Sequence, residues 1–302
     1  MFLLPLRHEN MRGRRWPVVT FALIAINVIA FLGTHWTIEA QDAQIPERVE
    51  VVKHLVLLAA THPELKMGDD ARKFVGLLSA QYPEDWKQLA SPERKPEDDW
   101  EARIRQVEDP AELQAEMDGI SQKFQDLQRN TFLARYAFVP AHPTAISYLT
   151  CNFLHVGWLH LIGNMWFLWL AGFILEDNWG RAIYPIFYLL AGAVAAQIHG
   201  WFHPDSLVPM LGASGAVAAL MGAFLVRFPR LKIEMFYWIF IVRGRFKAPA
   251  LWLLPLWGLM ELFYGSMSRQ AGGVAHWAHV GGFAFGMIGA LILSRSGLEH
   301  KV

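Results

Sequence analysis

Six apolar segments of about 17 to 20 residues each constrain the fold of this chain most strongly. An α-helix rises about 1.5 Å per residue, so each segment is long enough to cross the roughly 30 Å hydrocarbon layer of a bilayer. The predicted fold class is therefore all-α, a polytopic membrane protein with six transmembrane helices. These segments, called spans 1 to 6, are Trp16–Leu32, Val156–Ile174, Tyr184–Phe202, Met210–Phe228, Ala248–Gly265 and Val274–Leu293.

Composition supports a lipid bilayer as the surroundings of the chain. The sequence is 54% apolar and contains 13 Trp and 20 Phe, a content typical of polytopic membrane proteins. Its one cysteine, Cys151, excludes an intrachain disulfide. The sequence contains no nucleic-acid-binding motif, so we expect no nucleic-acid partner. We also expect no cofactor.

The distribution of basic residues predicts the orientation in the membrane. Arg7, Arg12, Arg14 and Arg15 precede span 1, which favours a cytoplasmic N-terminus, and six spans return the C-terminus to the same side. A cleaved signal peptide is the alternative for this region, but no small-x-small cleavage site follows span 1. A short uncleaved first helix and no organelle transit peptide predict a bacterial inner membrane.

The segment between spans 1 and 2 has a different character. Residues 39 to 135 contain 20 acidic and 13 basic residues, a net charge of −7, whereas the remainder carries +7. We predict three regions: 1–36, the N-terminus and first helix; 37–135, an extracytoplasmic helical insert; and 136–302, spans 2 to 6 as the catalytic core. Helices are expected in the insert at Pro46–Ala60, Asp69–Ala80 and Asp109–Ala134.

Four polar side chains lie near the predicted outer ends of spans 2, 4 and 6. His160 and Asn164 are four residues apart on one face of span 2, Ser214 is in span 4, and His279 is in span 6. Polar and ionisable residues inside the membrane are costly and usually functional. Their common depth predicts a shared, hydrated site.

The residue types at this depth suit acyl-transfer chemistry. Ser214 needs a general base to act as a nucleophile, and histidine is the side chain whose ordinary pKa suits neutral pH. Asn164 and His160 can donate hydrogen bonds to an oxyanion, as can the unpaired N–H groups at a helix start. Spans 2, 4 and 6 carry no acid at this depth, which predicts a Ser–His dyad rather than a triad.

Small residues predict how spans 4 and 6 meet. Ser214, Ala218 and Gly222 share one helical face, and Gly282 with Gly286 forms a similar face on span 6. We expect these faces to pack closely and to bring Ser214 beside His279.

Three motifs, taken together, are similar to those of the rhomboid family of intramembrane serine proteases. They are Gly212–Gly215, the His160-x-x-x-Asn164 pair and Ala278–Phe283. The stretches Phe153–Met165 and Gly172–Asp177 also resemble the two ends of the family's second helix. The similarity covers about residues 137–293, and span 1 corresponds by position.

This resemblance implies a site, a reaction and a substrate class. Ser214 would be the nucleophile and His279 the base, with His160, Asn164 and the Ser214 backbone N–H stabilising the oxyanion. The substrate would be a single-span transmembrane protein, admitted sideways between spans 2 and 5 and cut near the outer face. A long insert between spans 1 and 2 is a departure from minimal members.

Other readings of the same residues remain open. A catalytically silent relative that binds transmembrane helices would be expected to lack Ser214 or His279. A transporter would be expected to show inverted repeats, which the sequence lacks. His276 and His279 resemble a metal-ligand pair, but we expect Glu261 to lie too far away to complete a zinc site. We expect His199 and His203 to be interfacial, as is the short apolar stretch Ile233–Val242.

Overall fold

The computed structural model describes residues 2–9, 15–42, 45–239, 242–267 and 274–297. Two compact units are present: residues 1–36 with 136–302, here called the membrane unit, and residues 37–135, called the insert unit. Arg12 and Arg14, used above to orient the chain, lie outside the described residues. The described chain is mostly helical. Its helices are α1 Val18–Asp42, α2 Ile45–Thr61, α3 Asp69–Gln81, α4 Pro83–Leu89, α5 Asp99–Ile104, α6 Pro110–Arg129, α7 Phe132–Tyr136, α8 Ser147–Thr150, α9 Trp158–Phe202, α10 Ser214–Arg227, α11 Ala250–Met267 and α12 His276–Ser296.

Spans 2 and 3 are two helices that follow each other without a loop; they share the label α9, and Gly180 separates them. Gly180 has φ 75° and ψ 173°, a conformation that only glycine adopts without strain, so the helix is interrupted there. In the described part of the chain, three helices are long and apolar enough to cross a membrane: Val18–Ala40, Trp158–Phe202 and His276–Ser296. The shorter apolar helix α10 corresponds to span 4, and α11 to span 5. The total of six crossings stays a prediction.

Helix α10 lies at the centre of the membrane unit, packed against α9 and α12. Residues along its whole length are buried. An added Cβ at Gly282 would collide with the carbonyl oxygen of Gly215, and one at Gly286 with that of Ala219. The close approach of spans 4 and 6 through small residues is therefore confirmed.

A buried carboxylate joins α1 to the first part of α9. Glu176 accepts hydrogen bonds from the backbone N–H groups of Val19 and Thr20, at 2.9 and 2.7 Å, and from the Thr20 hydroxyl at 2.8 Å. The first N–H groups of a helix have no partner within the helix and form its positive end, so a carboxylate stabilises that end. Glu176 thus fixes the start of α1 beside α9.

The prediction of an all-α fold is wrong in one respect, because the membrane unit contains a three-stranded antiparallel sheet. Its strands are β1 Phe2–His8, β2 Lys232–Ile239 and β3 Val242–Pro249, in the order β1-β2-β3. The stretch interpreted as interfacial, Ile233–Val242, supplies most of β2. As a strand, this short apolar stretch places alternate side chains on opposite faces of the sheet. Its backbone pairs with β1 on one side and with β3 on the other.

Side-chain contacts fix the N-terminal strand in place. Arg7 donates to Glu234 at 2.7 Å, and this hydrogen bond holds the pKa of Glu234 below its usual range. The indole of Trp166 on α9 donates to the carbonyl oxygen of Pro5 at 2.7 Å. The sheet is therefore joined to the helical bundle through β1.

Within the insert unit, α6 is the longest helix and packs on α2 and α3. Asp109 caps its start by accepting from the Ala111 N–H at 2.9 Å, and Pro110 is the first helical residue. A stripe on one face is buried, namely Leu113, Met117, Ile120 and Phe124. This buried face lies against the other helices of the insert.

We predict that Gly286→Ala lowers the stability of the membrane unit by about 1–3 kcal/mol, because the new methyl group must displace the α10 backbone. The control is Gly33→Ala in α1, where an added Cβ meets nothing within 4 Å. Unfolding midpoints are compared in matched detergent. Equal midpoints for the two variants would show that the approach of α10 and α12 tolerates a methyl group.

Candidate active site

Three local features fix the position of Ser214. The chain before it forms an isolated antiparallel bridge, in which Met210 and Phe138 exchange backbone hydrogen bonds of 2.8 and 2.9 Å. The Gly212 N–H then donates to the Cys151 carbonyl at 2.8 Å, and Gly212 takes φ 123°. α10 begins at Ser214, four residues later than span 4 was predicted to begin. Its backbone N–H therefore belongs to the unpaired first turn of the helix.

His279 reaches Ser214 from the first turn of α12. Its Nε2 lies 2.8 Å from the Ser214 hydroxyl oxygen, a hydrogen-bond distance. The glycine contacts between α10 and α12 set this spacing, because they leave no side chain between the two helices near Ser214. The two residues proposed for nucleophile and base are in contact.

His160 and Asn164 lie beside Gly212, just before Ser214. A Cβ at Gly212 would lie 2.7 Å from the His160 ring and 3.6 Å from Nδ2 of Asn164. Asn164 is buried, and among the described residues its Nδ2 has no hydrogen-bond partner. A buried amide donor without a partner is costly unless a ligand or water satisfies it. This free donor therefore suits an acceptor that arrives with a substrate.

A cavity of about 570 Å³ brings most of these groups together. Ser214, His279 and His160 line it, and so do His199 and His203 from the second half of α9. The expectation that His199 and His203 are interfacial stays a prediction, and the structure adds that both line this cavity. Their i, i+4 spacing places both rings on one side of the helix, and that side faces the cavity.

Glu261 lies much closer to His276 and His279 than predicted. Its Oε2 lies 2.8 Å from Nδ1 of His279 and 2.8 Å from Nδ1 of His276. Glu261 is six residues before the end of α11, and His279 is three residues after the start of α12. In two consecutive antiparallel helices, residues that are equally far from the connection lie at about the same depth. Counting from the connection between α11 and α12 could therefore have placed Glu261 near His279.

The same three side chains form a possible metal-ligand set. Glu261, His276 and His279 each offer one ligand atom, and these atoms lie within 4.8 Å of one another. The argument that no carboxylate is near His276 and His279 is therefore wrong. The distances of 2.8 Å from one oxygen to two Nδ1 atoms are those of hydrogen bonds, and a proton on each nitrogen accounts for them.

Helices long and apolar enough to cross a membrane surround a half-buried contact between a serine hydroxyl and an imidazole, an arrangement of the kind that serine hydrolases use. The Rhomboid domain family matches residues 142–296, slightly more than half of the chain. The chain belongs to the rhomboid family, and the resemblance drawn from its motifs is confirmed. It is an integral membrane protein.

Relatives with curated names agree with this assignment. The chain is 29% identical over 159 residues to Rhomboid-like protein 11, chloroplastic, of Arabidopsis thaliana, covering 51% of this chain and 54% of that protein. It is 32% identical over 148 residues to RHOMBOID-like protein 4 of the same plant, covering 49% and 34%. It is 28% identical over 179 residues to Rhomboid protein 1, mitochondrial, of Saccharomyces cerevisiae, covering 55% and 47%. The chain therefore spans about half, or less, of these relatives' lengths.

Proposed function

We propose that this chain is an intramembrane serine endopeptidase that cleaves transmembrane-helix substrates near the outer face of the membrane. Ser214 is the nucleophile and His279 the general base. The observation that carries the proposal is the 2.8 Å contact between the Ser214 hydroxyl and His279 Nε2 in a cavity of the membrane unit. Membership of the rhomboid family supports the same reaction class.

The proposed reaction follows from this contact. His279 Nε2 accepts the hydroxyl proton as the Ser214 oxygen attacks the scissile carbonyl, which gives a tetrahedral oxyanion and an imidazolium. The imidazolium then gives its proton to the leaving amine, and an acyl-enzyme remains on Ser214. Water, deprotonated by His279, hydrolyses the acyl-enzyme and restores both residues.

Donors beside Ser214 are proposed to stabilise the oxyanion. They are the backbone N–H of Ser214, the amide of Asn164 and the ring of His160. The buried Nδ2 of Asn164, which has no partner among the described residues, supports this role. A helix N-terminus adds the positive end of its dipole.

A second cavity supports sideways access for a transmembrane substrate. It has a volume of about 340 Å³ and is lined mainly by apolar side chains of α9, α10, α11 and the sheet. Phe167 and Leu170 of α9 face Trp257 and Met260 of α11 across it, which places it between spans 2 and 5. The Trp257 ring centroid is 6.1 Å from that of His279. Its lining also includes His8 of β1, whose ring packs on Phe224 at the end of α10 opposite Ser214. The cavity therefore supports an apolar gap between spans 2 and 5, separate from the cavity that holds Ser214.

The location in the cell is also a proposal. We infer from the basic residues that both termini lie in the cytoplasm, and we propose a bacterial inner membrane because the first helix is short. The insert of residues 37–135 would then lie outside the cytoplasm. Two of the relatives above are named as chloroplastic and mitochondrial proteins.

The competing function is a silent relative that binds transmembrane helices without cutting them. The presence of Ser214 and His279 at hydrogen-bond distance favours the protease, because binding alone has no use for a base beside a hydroxyl. Chemical labelling of the serine separates the two functions directly.

We predict that Ser214→Ala and His279→Ala each abolish cleavage of single-span substrates without unfolding the protein, because one removes the nucleophile and the other its base. Cleavage is measured in detergent by mass spectrometry of the fragments. A fluorophosphonate should label the native protein at Ser214, and a chelator should leave cleavage unchanged. Full activity of either variant would exclude the dyad.

We predict that Asn164→Ala and His160→Ala slow single-turnover cleavage, by up to about 10²–10³-fold for each donor removed. Neither substitution touches the contact between Ser214 and His279. Ile288→Ala, at an exposed position of α12, is the control and should cleave at the native rate. If both variants match the control, the oxyanion is stabilised by other groups.

A further inference from the structure

Glu261 extends the Ser–His contact by one more group. Its Oε2 is 2.8 Å from Nδ1 of His279, and Nε2 of the same ring is 2.8 Å from the Ser214 hydroxyl. Carboxylate, imidazole and hydroxyl therefore form one continuous hydrogen-bonded chain. We propose that Glu261 is the positioning residue of this protease, which orients His279 and fixes its tautomer. This inference rests on the proposed function of Ser214 and His279.

The tautomer argument follows from the donors and acceptors present. An ionised carboxylate only accepts hydrogen bonds, so Nδ1 of His279 must carry the proton in its contact with Glu261. Nε2 then has a free lone pair that faces the Ser214 hydroxyl, as a general base requires. Without the carboxylate, the neutral ring could equally carry its proton on Nε2, where it cannot accept one from serine.

The same carboxylate stabilises the charge that the reaction creates. When His279 takes the serine proton, it becomes an imidazolium in contact with the Glu261 anion. The side chains of Glu261 and His279 are only 14% and 13% exposed, so water screens this attraction weakly. Glu261 thus lowers the energy of the charged state that follows serine attack.

His276 completes the site by fixing Glu261 itself. Its Nδ1 lies 2.8 Å from the same Oε2, and its ring stacks on Tyr264 at a centroid distance of 5.7 Å. Two N–H donors on one oxygen leave the carboxylate little freedom to rotate away from His279. The side chain of Glu261 therefore has a defined direction before any substrate binds.

The helix that carries Glu261 is otherwise apolar, which is unusual for an acid with no role beyond facing solvent. Glu261 is the one charged residue of α11, whose other side chains are almost all apolar. Charged residues in such helices are costly, and those that face the bundle interior usually have a functional partner. The partner here is the proposed catalytic base.

Glu261→Gln tests the proposal, because glutamine keeps the shape and removes the negative charge. Its amide can also donate to Nδ1 and thereby select the unproductive tautomer. We expect kcat for a single-span substrate to fall by about 10- to 100-fold while KM stays within about twofold, less than in soluble triads because the carboxylate is shared. Ser266→Ala, an exposed position on the same helix, is the matched control.

Nitrogen-15 NMR of histidine-labelled protein gives a readout that a purely structural role would not change. The His279 signals are assigned by their loss in His279→Ala. We expect the Nδ1–H tautomer in the native protein and a population of Nε2–H in Glu261→Gln. If Glu261→Gln does not fold, the native spectrum still decides, because an Nε2–H tautomer there would overturn the proposal.

The outcomes separate this inference from the proposed function. Cleavage by Ser214→Ala would contradict the proposed function itself. An inactive Ser214→Ala together with native kcat and tautomer in Glu261→Gln would overturn the role of Glu261 alone. Loss of native activity on chelation, restored by zinc, would assign Glu261, His276 and His279 to a metal ion and would likewise overturn the proposal.

Discussion

The approach of the α10 and α12 backbones is the contact on which the candidate site depends. At Gly222, Gly282 and Gly286 an added Cβ would collide with a backbone carbonyl of the opposite helix. Inside a bilayer no hydrophobic effect drives helices together, so packing through small residues takes that role. The distance between Ser214 and His279 therefore depends on how closely α10 and α12 pack.

Two carboxylates, the buried Glu176 and the half-buried Glu261, show how the membrane unit accommodates acidic groups. Glu176 accepts from the first N–H groups of α1, and Glu261 accepts from two imidazole rings. Removing such a group from water is unfavourable unless donors satisfy it. Each acid has donors on a different helix, so each also fixes the position of that helix relative to its own.

Sequence reasoning succeeded where the signal is local. Apolar length located the helices, and the i, i+4 spacing of His160 and Asn164 predicted that both face the same site, where they lie beside Gly212. It did not predict the contact of Glu261 with His279 or the place of His199 in the cavity, because both depend on how one helix packs on the next. The sheet was missed for a related reason. Phe2 pairs with Trp238, and no local sequence pattern predicts a strand partner so far along the chain.

The pairing of β1 with β2 implies an order of events during synthesis. β1 leaves the ribosome before its partner β2, which is made only after α1, α9 and α10. Contacts between such distant segments carry a large loop-closure cost and form late. Until β2 is made, the backbone N–H and C=O groups of β1 lack their strand partner, and unpaired strands are prone to aggregation. Proline and charged residues in a strand disfavour pairing with other chains. Pro5 and Arg7 therefore lower the tendency of β1 to aggregate before it pairs with β2.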